Sequence, residues 1–179
     1  MKFRELGLAG AFIVEPERFE DERGFFARAF CRNEFDGQGL NSSVAQCNVA
    51  FNARKGTLRG LHYQVPPHAE AKFIRCIRGA IYDVIVDLRH DSPTYLQHFG
   101  LELSSENRSA LYVPERFAHG YQALTDNAEV FYQVSEFYAP GAERGIRYDD
   151  PAIRIEWPLP VTVISDKDAS WEAFAGPPW

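Results

Sequence analysis

A chain of 179 residues with a formal net charge of −6 excludes several classes of protein at once. It lacks the overall basic character that general nucleic-acid binding needs, although a local pocket for a small anion stays open to an acidic protein. No apolar run reaches the roughly 18 residues of a membrane-spanning helix, and the first residues, MKFRELGLAGAFIVEP, hold no long apolar stretch of the secretory kind. Cys31, Cys47 and Cys76 are odd in number and lack metal-ligand spacing, so they read as free packing thiols of a cytoplasmic protein. The length suits one domain over 1–179, large enough to bury a core of its own.

The predicted elements are short and mostly strands. FIVEP (12–16) is followed by a polar loop, ERFEDERG (17–24). SVAQCNVAFN (43–52) alternates, and KG turns the chain into TLRGLHYQ (57–64). VPPHAEA is a loop. KFIRCI and AIYDVIVDLR are two strands around a tight turn at Arg78-Gly79. FGLELS, ALYVPE and GYQALT follow, then a turn at Asp126-Asn127 and a strand EVFYQVSEFY (129–138). Only SDKDASWEAF (165–174) suggests a helix, capped by Ser165. Short segments at even spacing, with no strand–helix alternation, predict an all-β sandwich or barrel.

Period-two alternation sorts the strand faces. Tyr132, Val134, Glu136 and Tyr138 share one face; so do His119, Tyr121 and Ala123, and so do Lys72, Ile74 and Cys76. Polar groups on inward faces describe a ligand cavity rather than a packed core. Arg59 and His62 have opposite parity. Either Arg59 points outward or a bulge at Gly60 turns both side chains the same way.

Two chemistries suit these residues. A metal site would draw on His62, Glu70 and His119, but the His-x-His pair common in small metal-binding barrels reads His62-Tyr63-Gln64 here. Proton transfer beside a ketone needs a base, a donor or cation for the enolate, and an acid. His62, Lys72 and Tyr132 can supply these, and inversion of a carbon requires His62 and Tyr132 on opposite sides of the substrate. A sugar-binding all-β protein without catalysis is the non-enzymatic rival.

DERGFF (21–26), QCN (46–48), GTLRGLHYQ (56–64), KFIRCIRGAIYDVIVDLR (72–89), VPERFAHGY (113–121), ERGIRYDDP (143–151) and SDKD (165–168) stand in order along the chain. Together they resemble the dTDP-4-dehydrorhamnose 3,5-epimerase family of nucleotide-sugar epimerases, from about residue 10 to 170. The resemblance implies a double-stranded β-helix, or cupin-type jelly roll, without a metal or cofactor. It implies a homodimer with exchanged N-terminal strands, acting on a dTDP-sugar in the cytoplasm. It implies that His62 is the base, Asp168 its orienting carboxylate, Tyr132 the acid, and Lys72 and Arg59 the groups at the enolate. It places Arg23, Phe26, Gln46, Asn48, His119, Tyr138, Glu143 and Lys167 among the substrate contacts. Arg28 stands where such proteins often carry a glutamate. Cys47, Val49 and Ala50 replace polar residues of the corresponding strand, so the base or sugar recognised is open to difference, as is the choice between C3 alone and both C3 and C5.

Overall fold

The computed structural model describes residues 1–177 and 179. One sheet has six strands in the order β1 (Lys2–Glu5), β2 (Phe12–Glu15), β10 (Ala110–Val113), β7 (Lys72–Arg78), β12 (Ala128–Val134) and β5 (Gln46–Asn52). A second has five, in the order β13 (Glu143–Gly145), β6 (Leu58–Gln64), β11 (Phe117–Ala123), β8 (Ala80–Asp87) and β9 (His98–Ser104). Between β5 and β12 the chain crosses from one sheet to the other at every connection except β8 to β9. That winding is a cupin-type jelly roll, the all-β fold expected from the sequence.

The predicted turns at Arg78-Gly79 and Asp126-Asn127 are present, and the crossovers decide where each one leads. Gly79 and Asn127 hold the left-handed backbone that a tight turn needs, at φ 70° and 55°. A Cβ at Gly79 would sit 2.2 Å from Thr125 Oγ1, so only glycine fits. Yet β7 does not pair with β8, nor β11 with β12; each turn delivers the chain to the opposite sheet.

The core lies between the sheets, where Ile74 of β7, Ile81 and Ile85 of β8, Leu111 of β10 and Val130 of β12 are fully buried. Each such side chain contributes about 1.5–3 kcal/mol of burial free energy. The outer face of the six-stranded sheet is covered by α1 (Arg32–Gly37), whose buried Phe35 meets Phe73 edge-on at 4.9 Å. Six residues are too few to show helical periodicity, so only packing reveals α1.

Three further elements depart from expectation. Residues 17–24 do not form a loop, because β3 (Arg18–Asp21) and β4 (Gly24–Ala27) pair there as a separate hairpin. β12 ends at Val134, and Glu136 and Tyr138 lie beyond it; the Tyr138 amide donates to Gln46 Oε1 at 2.8 Å. Helix α2 (Asp166–Ala169) has the predicted cap, with Ser165 Oγ accepting from the Asp168 amide at 3.1 Å, but is shorter than the pattern suggested.

Candidate active site

Strand β6 answers the parity problem of Arg59 and His62. Against β11, His62 is opposite His119 and Arg59 is opposite Tyr121. Three steps on β6 thus match two on β11, which is a bulge at Gly60. Gly60 has φ 117°, and a Cβ there would lie 2.6 Å from Gly120 Cα. Only glycine allows this close strand approach. The bulge turns Arg59 and His62 into one cavity of about 290 Å³, which Lys72, His119, Tyr132 and Asp168 also line. An adjoining lobe of about 350 Å³ shares His62, Lys72 and Tyr132, and extends to Gln46, Asn48, Tyr138 and Glu143.

His62 Nε2 lies 2.6 Å from Asp168 Oδ1. The Gly60 amide, freed by the bulge, donates to the other carboxylate oxygen at 3.1 Å. Asp168 is only 4% exposed. Burial alone would push its carboxyl up; the His62 hydrogen bond and charge, with the Gly60 amide, outweigh this and hold it below the usual range. An ionised carboxylate only accepts hydrogen bonds, so the His62 proton sits on Nε2 and Nδ1 is left as the basic nitrogen.

His119 belongs to a second pair that sequence reasoning missed. Its Nε2 is 3.0 Å from both oxygens of Asp83, whose side chain is fully buried. The available signal was an aspartate on the same face of β8 as Ile81 and Ile85, an apolar face.

Tyr132 reaches the cavity from β12, on the opposite sheet from His62. Burial raises its phenol pKa, the nearby Glu70 carboxylate adds to this, and Arg59 opposes it. Lys72 begins β7 and pairs with Glu70 at 3.1 Å, each side chain only 11% exposed. Arg59 is held by β5, through Nε to Asn52 Oδ1 at 2.8 Å and Nη2 to the Phe51 carbonyl at 3.1 Å.

In the outer lobe, Glu143 accepts from the Tyr138 hydroxyl at 2.8 Å and from Lys167 Nζ at 2.6 Å. Burial would raise the Glu143 carboxyl, but the Lys167 and Tyr138 contacts hold it down. Gln46, Asn48 and Ala50 alternate toward the cavity side of β5, while Cys47 and Val49 are exposed on the other face. Of the three unusual residues in this strand, only Ala50 therefore touches the cavity.

Arg23 and Phe26 are not brought to this cavity. They lie on the β3–β4 hairpin, where Arg23 binds Asp21 and Phe26 is 71% exposed. Arg28 pairs with Glu34 at 2.9 Å. Nor do His62, Glu70 and His119 assemble as metal ligands. Each has its own partner, and among the described residues no group of three or more potential ligands converges.

Fold and cavity together define a class: a cupin-type jelly roll with an aspartate-oriented histidine at a ligand cavity. Comparison with known proteins makes this specific. The family described as dTDP-4-dehydrorhamnose 3,5-epimerase matches residues 5–176, and the chain belongs to it. A dTDP-4-dehydrorhamnose 3,5-epimerase from Shigella flexneri is 44% identical over 90% of each chain. A dTDP-4-dehydrorhamnose 3-epimerase from Streptomyces niveus is 37% identical, over 94% of this chain and 81% of its own. The crystal structure of dTDP-4-dehydrorhamnose 3,5-epimerase from Bacillus anthracis, with TDP and PPi bound, superposes with a TM-score of 0.93 at 40% identity, covering 97% of this chain and 99% of that one.

Proposed function

We propose that this protein is a cytoplasmic isomerase that converts dTDP-4-dehydro-6-deoxy-D-glucose to dTDP-4-dehydro-L-rhamnose by inverting C3 and C5. One observation carries the reading: His62, oriented by Asp168 at 2.6 Å, shares a cavity with Lys72 and with Tyr132 of the facing sheet. C3 and C5 both flank the C4 ketone, so one chemistry serves both. His62 Nδ1 takes the proton, and the bonding pair moves into the ring with negative charge on the C4 oxygen. Lys72 and Arg59 stabilise that enolate electrostatically. Tyr132, its phenol pKa raised by burial, arrives protonated and returns a proton to the opposite face. Protein groups supply every step, with no cofactor. Tyr138, Gln46, Asn48, Glu143 and Lys167 take the nucleotide in the outer lobe, and His119 contacts the sugar.

The single jelly-roll domain, 1–179, works as a homodimer in this reading. The β3–β4 hairpin exposes Phe19, Phe25 and Phe26 and carries Arg23 away from its own cavity. That suits an arm that crosses to the partner and delivers Arg23 to the diphosphate and Phe26 to the site there.

The test is incubation with dTDP-4-dehydro-6-deoxy-D-glucose in deuterated water, followed by NMR of the sugar protons. The expected outcome is exchange at C3 and C5 that disappears in His62→Asn. Exchange at C3 alone would assign the narrower activity that the Streptomyces niveus relative's name describes. No exchange would overturn the reading.

A further inference from the structure

Glu70 stands out because its surroundings are ordered beyond what a loop residue needs. Its carboxylate lies within the site, on the wall of the outer lobe next to Lys72 and Tyr132. Two donors converge on it: Lys72 Nζ on Oε1 at 3.1 Å, and Gln64 Nε2 on Oε2 at 3.3 Å. Gln64 is itself fixed. Its Oε1 accepts from the Ala139 amide at 2.7 Å, which settles which end of the side-chain amide is which. Its Nε2 reaches the His68 carbonyl at 3.0 Å and the Phe137 carbonyl at 3.2 Å. Gln64 thereby ties loop 65–70 to the segment that carries Tyr138, and Glu70 extends that tie to the Lys72 ammonium.

A lysine has four rotatable side-chain bonds and a compact, strongly hydrated charge. At the mouth of a polar cavity it would sample several positions unless something held it. No other carboxylate within ion-pair distance of Lys72 is found among the described residues. We propose that Glu70 is a positioning residue of this site: braced by Gln64, it holds the Lys72 ammonium where the enolate oxygen of the substrate develops charge. The proposal rests on the epimerase reading above. It acts through Lys72, so it predicts loss in the chemical step and not in nucleotide binding. Position matters more than charge. Glutamine at 70 keeps an acceptor for Lys72 and gives up only the longest of the Gln64 contacts, whereas aspartate keeps the charge but withdraws it by one methylene.

The test measures exchange at C3 and C5 in deuterated water, alongside dTDP affinity by calorimetry, for wild type, Glu70→Ala, Glu70→Gln and Glu70→Asp. Glu70→Ala should lower kcat for exchange at least about tenfold while dTDP affinity stays within about twofold, the order of loss expected from a misplaced catalytic group. Glu70→Gln should recover most of the loss. A smaller loss in Glu70→Ala, an equal loss of dTDP affinity, or a Glu70→Gln as impaired as Glu70→Ala overturns the proposal. Should Glu70→Ala fail to fold, the remaining pair decides. Glu70→Gln more active than Glu70→Asp supports a positioning role, and the reverse order, or equality, refutes it. Absence of exchange in the wild-type chain would sink the epimerase reading itself, and is thereby distinct from unimpaired exchange in Glu70→Ala.

Discussion

Two histidine–aspartate pairs sit on neighbouring strands of one sheet, and they are built differently. His62 and His119 are direct partners across β6 and β11. The carboxylate of the first pair comes from α2, 106 residues further along the chain, and also grips the Gly60 amide. The carboxylate of the second comes from β8, where Tyr121 is the cross-strand partner of Asp83 and Ile85 that of His119, so His119 and Asp83 meet diagonally on one face. The His62 side chain is 29% exposed and that of His119 11%. The difference separates two tasks. A ladder-fixed, buried pair suits the placing of a hydrogen-bonding group. A more open pair, with its carboxylate brought in from outside the sheet, suits a base that must meet substrate and give up its proton in every cycle.

The largest effect should come from the open pair. His62→Asn removes the proposed base and should cost about 10²–10⁴ in exchange rate, the usual contribution of a general base, measured by NMR in deuterated water. Asp168→Asn should come next. An amide can donate to Nε2 and force the His62 proton onto Nδ1, the nitrogen that must be free, so a loss of about 10² or more is expected. Asp83→Asn should cost only about tenfold, because His119 need not act as a base and an amide at 83 can still hold its ring. Equal losses in Asp168→Asn and Asp83→Asn would break the comparison and give the two pairs the same task.

The fold was legible in the sequence because strand alternation and turn residues are local signals. The sheet partners were not, since Arg78-Gly79 and Asp126-Asn127 read the same whether the next strand returns to its own sheet or crosses to the other. His62, Lys72 and Tyr132 were legible as polar residues on strands. The bulge that lets Arg59 join them was legible as one of two alternatives, because Gly60 marked the place and only the register could decide. Asp83 was hidden among the apolar residues of β8. In the sequence Glu70 suggests only a metal ligand, because nothing local shows that a loop carboxylate will meet a lysine two residues on and a glutamine six residues back. The β3–β4 hairpin looks like a loop in the sequence because its charges mask the phenylalanines between them.

A third buried carboxylate sharpens the contrast from outside the cavity. Asp87, at the end of β8, has a fully buried side chain and accepts from Arg89 Nε and Nη2 at 2.8 and 2.7 Å, Ser92 Oγ at 2.6 Å and Thr94 Oγ1 at 2.7 Å. Burial would push its carboxyl up, but these donors hold it down to about 2. An unfolded aspartate titrates near 3.9. The folded state therefore binds this proton more weakly, which is worth about 2–3 kcal/mol of stability at neutral pH. That contribution is complete above about pH 4 and fades as pH falls through the folded value near 2. Asp87→Asn should leave the exchange rate at C3 and C5 unchanged and lower the unfolding free energy. In urea titrations the gap between the two proteins should narrow as pH drops from about 4 toward 2. A gap that stays constant over that range would show that Asp87 is held by packing rather than by its charge, and a fall in exchange rate would mean that the carboxylates of β8 reach the cavity through the strand itself.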